Sequence, residues 1–278
     1  MTKLGSGRGR VAVTGAAGSL ARDIIPGLQA SGHTVIGIDR FTPEETSGTE
    51  WFECSINDRA ALARAFEGCD AVIHLAGIPL EADWDAIMTT NIDGTQAVLE
   101  TAWKAGIQRV VLASSIHAAG YVEIPDDGVV PDDVTVRPNT FYGASKAALE
   151  ALGRLYHDRH GMDMYCLRIA SRFARPQGER MLSTWLSPND AVRLFDACLT
   201  TQNGGFHTIW GVSANTRSYL SASGGEAIGY HPQDNAEDFA AELLEAGRRD
   251  PSLLASEWDE KYIGGVFCSP APPRIDDH

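Results

Sequence analysis

A glycine turn near the start of the chain, Thr14-Gly15-Ala16-Ala17-Gly18-Ser19-Leu20-Ala21, restricts the fold more than any other segment. It joins a β-branched run, Arg10 to Thr14, to a helical stretch, Ser19 to Ser31, which is the context a dinucleotide-binding turn requires. Gly15 permits the tight turn. Gly18 lets a pyrophosphate approach the backbone at the positive end of the helix, and Ala21 is the small third residue that helix-on-strand packing needs.

The same alternation continues along the chain. Strands are expected at Thr34 to Ile38, Glu50 to Cys54, Ala71 to Leu75, Arg109 to Ala113, Met164 to Ile169 and Phe206 to Trp210. Helices are expected over Arg59 to Glu67, one long run from Trp84 to Lys104, Tyr142 to His160 and Asn189 to Leu199. Arg172 to Pro188 shows no clear period, and the proline- and glycine-rich tail from Pro251 gives no assignment. Strand-helix alternation of this kind predicts an α/β fold, a Rossmann-type doubly wound parallel sheet with helices on both faces. Residues 1–170 read as the dinucleotide-binding core, and 171–278 as a small substrate-binding portion interleaved with it.

Two further features carry chemistry. Asp39 follows the second strand about twenty residues after the glycine turn, where a carboxylate accepts hydrogen bonds from ribose hydroxyls. It would repel a 2′-phosphate, which favours NAD over NADP, although Arg40 beside it is the residue type that accommodates that phosphate. Tyr142 and Lys146 are four residues apart on an expected helix and share a face. An ammonium near the phenol favours the phenolate and would draw its pKa down from about 10, making Tyr142 a base.

Composition limits the partners. The chain has 278 residues, 44% hydrophobic and 22% charged, as expected for a globular protein with a sizeable core. Its formal charge of −14 disfavours nucleic acid and anionic membrane as partners. No apolar run reaches the roughly 18 residues of a membrane span, and Met1 to Arg10 has no apolar signal core, so a cytoplasmic protein is expected. Cys54, Cys69, Cys166, Cys198 and Cys268 lack paired metal-ligand spacing, and reduced thiols with no metal are the expectation.

Six segments, taken in order, resemble the extended short-chain dehydrogenases/reductases of the NAD-dependent epimerase/dehydratase family. They are Thr14 to Ala21, His74-Leu75-Ala76-Gly77, Asn91-Ile92-Asp93-Gly94-Thr95, Ala113-Ser114-Ser115, Tyr142 to Lys146, and Arg168-Ile169. In the last third, Arg180 to Ser187, Trp210 to Asn215, Gln233 to Glu237 and Gly264 to Phe267 are similar to uronate dehydrogenases, which oxidise the anomeric carbon of glucuronate or galacturonate to an aldarolactone using NAD.

The resemblance implies catalytic Ser115, Tyr142 and Lys146. Ser115 would hydrogen-bond the reacting hydroxyl, Tyr142 would take its proton, and Lys146 would tune Tyr142 and bind nicotinamide ribose. Gly15, Ala17, Gly18, Ser19 and Leu20 would hold the cofactor's phosphates, with Asp39 and Arg40 at its ribose. Ile56, Leu75, Ala76, Gly77, Asn91 and Ile169 would complete the NAD site. Arg180 would bind the sugar carboxylate through its guanidinium fork, and His117 and Ser171 would reach sugar hydroxyls. A homo-oligomer is implied as well, pairing helices around residues 91–104 and 143–158.

The chain also departs from that family. Ile116 stands where uronate dehydrogenases carry Asn, Pro79 where they carry Ser, and Ser19 where Gln is common, so three polar contacts to the sugar are missing. Ser55 replaces the acid that commonly meets the adenine amino group. A nucleotide-sugar epimerase or dehydratase, an aldose or sugar-phosphate dehydrogenase, and a non-catalytic NAD sensor are the alternatives. The short C-terminal portion argues against the first, and the intact Ser115, Tyr142 and Lys146 against the last.

Overall fold

In the computed structural model, which describes residues 8–46 and 48–274, seven strands form one parallel sheet. The start of the Met1 to Arg10 stretch lies outside the described residues. In chain order the first elements are β1 (Arg10–Thr14), α1 (Ser19–Ala30), β2 (Thr34–Asp39), β3 (Glu50–Glu53), α2 (Arg59–Ala65) and β4 (Ala71–His74). There follow α3 (Trp84–Ile87), α4 (Gly94–Lys104), β5 (Arg109–Ser115), α5 (Phe141–His160) and β6 (Asp163–Ile169). The last third adds β7 (Ser171–Arg172), α6 (Met181–Thr184), β8 (Trp185–Leu186), α7 (Pro188–Thr200), β9 (Phe206–Gly211), α8 (Ser223–Ala227), α9 (Ala240–Arg249) and α10 (Glu257–Lys261).

The strand order β3-β2-β1-β4-β5-β6-β9 reverses direction between β1 and β4. A crevice therefore opens there, at the carboxyl ends of the strands. Both faces of the sheet are covered, which is why its strands read as continuous apolar runs. Val11, Val13, Val111 and Leu167 face α1 and α7, while Ala12, Val72, Val110, Leu112 and Met164 face α2, α4 and α5. Each such aliphatic side chain, fully buried, contributes about 1.5–3 kcal/mol. Gly27 of α1 allows α7 to come close, since a Cβ there would stand 2.5 Å from Val192. Strand β9 and helix α7 thus belong to the layers of the core although they come after residue 171.

The run Trp84 to Lys104 is not one regular helix. A π-helical turn, Met88–Asp93, separates α3 from α4. The wider turn inserts one residue into the ladder and buries Asn91 against the end of β4. Periodicity along the sequence cannot register one inserted residue.

Two buried polar clusters tie the layers together. Arg168 on β6 and Glu150 on α5 form an ion pair at 2.9 Å, with side chains 3% and 6% exposed. Ser114 also donates to Glu150, and Arg168 donates to the carbonyls of Asp132 and Val134, fixing the loop that precedes α5. In the second cluster His74 of β4 sits between Thr14 of β1 (2.7 Å) and Thr95 of α4 (3.1 Å). The Thr95 hydroxyl gives its one hydrogen to the Asn91 carbonyl, so His74 Nε2 must donate to Thr95 and Nδ1 must accept from Thr14. Burial, reinforced by the charge of Lys146, pushes His74 down to about 3, and its ring is neutral.

Stability depends on pH as a result. Between the ordinary value of 6.5 and about 3, the unfolded chain takes up a proton at His74 that the folded chain refuses. The unfolded state binds more protons in that window, so stability falls as pH falls through it. The melting temperature is expected to drop as pH is lowered from about 6.5, and a His74→Asn variant to show a shallower slope. Parallel pH profiles for the two proteins would contradict it.

Candidate active site

The cradle at the crevice is built from backbone. Gly15 sits at φ +70°, and a Cβ there would stand 2.6 Å from the backbone nitrogen of Ala76. The turn can meet the end of β4 this closely only with glycine at that position. Gly18 donates to the Gly15 carbonyl at 3.0 Å and precedes α1, which starts without a side-chain cap. The first-turn N–H groups of α1 thus remain for an anion at the positive helix end. Asp39 closes the cradle from β2: one carboxylate oxygen accepts from Ala17 N–H at 3.0 Å, the other from Arg40 N–H at 2.7 Å.

Gly15, Gly18, Asp39, Arg40, Ser55, Ile56, Leu75, Ala76 and Gly77 line one cavity of about 530 Å³. A dinucleotide fits this donor set: a backbone cradle that a Cβ would fill, a helix N-terminus, and a carboxylate at the ribose position. Ser19 lies on the α1 side of the turn, where its hydroxyl accepts from Arg172 at 2.8 Å. Ile169, at the end of β6, is in register with Ser115 of β5.

The chemistry-bearing residues lie beside this cavity. Asn91 Oδ1 accepts from Ile78 N–H at 2.7 Å, and Nδ2 donates to the Ile78 carbonyl and to Ser145 Oγ, both at 3.0 Å. It therefore pins the segment after β4 to α5. Glu81, a buried carboxylate on that segment, accepts from Tyr142 N–H at 3.1 Å, at the start of α5. Lys146 Nζ donates to the Ala113 carbonyl at 2.7 Å and lies 5.5 Å from the centre of the Tyr142 ring. The Ser115 hydroxyl is close enough to Tyr142 to favour its charged form.

The expected lowering of the Tyr142 pKa is not what the chain by itself produces. Burial pushes the phenol up to about 12, against the pull of the Ser115 hydrogen bond. Lys146 is itself pushed down to about 8 by burial, and its ammonium is turned to a carbonyl rather than to the phenol oxygen. Desolvation outweighs the Ser115 hydroxyl here.

His117 follows Ser115, with its ring 5.9 Å from that of Tyr142 and 4.4 Å from that of Phe267. Asn139 Nδ2 is 3.2 Å from His117 Nδ1 and donates to it, which places the ring proton on Nε2. Burial, aided by the Arg180 charge, lowers His117 to about 3. Beyond it, Arg180 donates from Nη1 to Ser171 Oγ at 3.1 Å and from Nη2 to the Ile263 carbonyl at 2.6 Å. Asp259 lies 3.2 Å from its Nε. The structure therefore brings Ser115, Tyr142, Lys146 and His117 together, and links Arg180 to Ser171 at the adjoining end. Glu81, Asn139 and Asp259 escaped the sequence reading, and Phe267 entered it only as the end of a motif. Among the described residues, no cluster of three His, Cys, Asp or Glu could hold a metal.

A doubly wound parallel sheet with a glycine cradle, an acid at the end of β2 and a Ser-Tyr-Lys set beside it defines a nicotinamide-dependent oxidoreductase fold of the short-chain type. The comparisons with known proteins agree: the sequence profile of the NAD-dependent epimerase/dehydratase family matches residues 11–222, and the chain belongs to that family. It is 33% identical over 265 residues to a uronate dehydrogenase of Pseudomonas putida, covering 95% of this chain and 97% of that one. It is also 37% identical over 221 residues to an NAD-dependent glucose-6-phosphate dehydrogenase of Haloferax volcanii, covering 73% and 83%. The crystal structure of the uronate dehydrogenase from Agrobacterium tumefaciens, a tyrosine-to-alanine mutant complexed with NAD, superposes with a TM-score of 0.85. It is 33% identical and is covered to 98%, against 95% of this chain. Among the described residues, no helix is long and apolar enough to cross a membrane.

The cradle geometry is directly testable. Gly15→Ala forces a side chain into the left-handed region, at about 1–2 kcal/mol, and sets its Cβ against the Ala76 backbone. A lower melting temperature and NAD affinity weakened at least about tenfold are expected. Unchanged NAD binding by titration calorimetry would show that the turn is not the cofactor cradle.

Proposed function

We propose that the chain oxidises the anomeric carbon of a hexuronic acid, glucuronate or galacturonate, to its aldarolactone with NAD as the hydride acceptor. The observation that carries this reading is the juxtaposition of Ser115, Tyr142 and Lys146 with Arg180, Ser171 and neutral His117 near the glycine-lined cavity. Full-length similarity to uronate dehydrogenases supports it.

When bound, NAD supplies the hydride acceptor and a positive charge. Gly15, Ala17, Gly18, Ser19 and Leu20 would hold its phosphates, and Asp39 and Arg40 its ribose. Ile56, Leu75, Ala76, Gly77, Asn91 and Ile169 would line the rest of the path. Ser115 positions the C1 hydroxyl. Tyr142 takes its proton as the C1 hydrogen leaves as hydride, and Lys146 holds nicotinamide ribose. Because burial leaves the Tyr142 phenol protonated near neutral pH, this step draws on positive charge added at the site. His117, neutral and with its proton on Nε2, donates to a sugar hydroxyl. Arg180 has two N–H donors beyond its contacts to Ser171, Ile263 and Asp259, and these meet the sugar carboxylate.

The reading includes a cytoplasmic homo-oligomer; exposed Trp103 on α4 and Leu155 on α5 support pairing through these helices. A sugar phosphate is the second reading, favoured by the 37% identity to the Haloferax volcanii enzyme. A screen of uronates, aldoses and sugar phosphates with NAD, followed by NADH absorbance, separates the two. Tyr142→Phe is expected to reduce turnover at least about 100-fold with NAD binding nearly intact. Turnover within a few-fold of the unmutated enzyme would remove Tyr142 from the mechanism.

A further inference from the structure

The substrate end of the site contains a second carboxylate of the protein's own. Asp259, on α10, stands 3.2 Å from Arg180 Nε, and the two side chains are 12% and 21% exposed. The contact is one of charge, because Arg180 Nε is buried without an aligned acceptor. Asp259 is also fixed in place. One of its oxygens accepts from Ser256 N–H (3.0 Å) and Ser256 Oγ (2.6 Å), closing a capping box on α10. The other accepts from Val266 N–H at 3.2 Å. Gly265, at φ +58°, lets the backbone pass over the pair: a Cβ there would overlap Asp259 Oδ1 and lie 2.5 Å from Arg180 Nε. The chain therefore holds a carboxylate of its own against the guanidinium.

We propose that Asp259 sets the charge selectivity of the site: it balances Arg180 in advance, so that a substrate carboxylate gains little over a hydroxymethyl group and neutral aldoses are accepted alongside uronates. This deepens the uronate reading and rests on it. A substrate carboxylate on the remaining Arg180 donors comes close to the Asp259 carboxylate in a partly buried, weakly screened place, and like charges so placed oppose each other. His117 is neutral and adds no further charge at this end.

The test compares glucuronate and galacturonate with glucose and galactose in kcat/KM with NAD, and in Kd for the NADH-bound protein, where no oxidation occurs. Asp259→Asn removes the charge, and Asp259→Ser is a second, smaller neutral variant in case the first does not fold. Both Asp259 variants are expected to bind uronates at least about tenfold more tightly, with aldose binding unchanged. A structural disturbance would weaken binding of both sugar classes, whereas release of a counter-charge improves one of them. An unchanged ratio in the Asp259 variants overturns the assignment while leaving the uronate reading standing. If the unmutated protein neither binds nor oxidises glucuronate or galacturonate, the uronate reading fails and this inference falls with it.

Discussion

The approach of Gly15 to the end of β4 is the contact on which the rest of the arrangement depends. The turn after β1 lies so close to Ala76 that a Cβ would reach 2.6 Å from its backbone nitrogen. With that contact made, the N-terminus of α1 is aimed at the crevice where the strand order reverses. Asp39 can then reach the same turn from β2. The segment after β4 leaves the cradle at Gly77 and is immediately pinned by Asn91, near Lys146. Cofactor cradle and reacting groups are thus held together by backbone geometry rather than by long side chains.

Around that frame, burial decides the chemistry. His74 and His117 are held neutral, Lys146 is pushed down to about 8 and Tyr142 up to about 12, with desolvation the largest cause in each case. Of Ser115, His117, Tyr142 and Lys146, only Lys146 then carries a charge near neutral pH. Further charge enters from the edges, from the cofactor on one side and the Arg180–Asp259 pair on the other. The buried Arg168–Glu150 pair plays no part in this; it anchors α5, which carries Tyr142 and Lys146, to β6.

Legibility in the sequence followed the range of the interactions. The strands and helices before residue 170 were readable to within one or two residues because their signals are local: β-branched runs, turn glycines and period-3.6 faces. The glycine cradle and Asp39 were readable because their spacing is fixed by one strand-turn-helix unit. The π-helical turn at Met88–Asp93 was not, since it changes the hydrogen-bond ladder without changing composition. The tail from Pro251 gave no assignment. It folds as short helical turns, including α10, whose importance comes from contacts far away in sequence: Asp259 with Arg180, Phe267 with His117, and Ile263 with Arg180. The sign of the Tyr142 shift depended on burial, which a four-residue spacing cannot report.

The central claim is that one site moves a hydride from the anomeric carbon of a hexuronate to NAD. Its most direct measurement uses glucuronate carrying deuterium at C1, with the reduced cofactor and the sugar product read by mass spectrometry and NMR. NADH that contains one deuterium, with an aldarolactone formed in equal amount, is the expected result. Deuterium retained on an epimerised or dehydrated sugar, or unlabelled NADH, would contradict it.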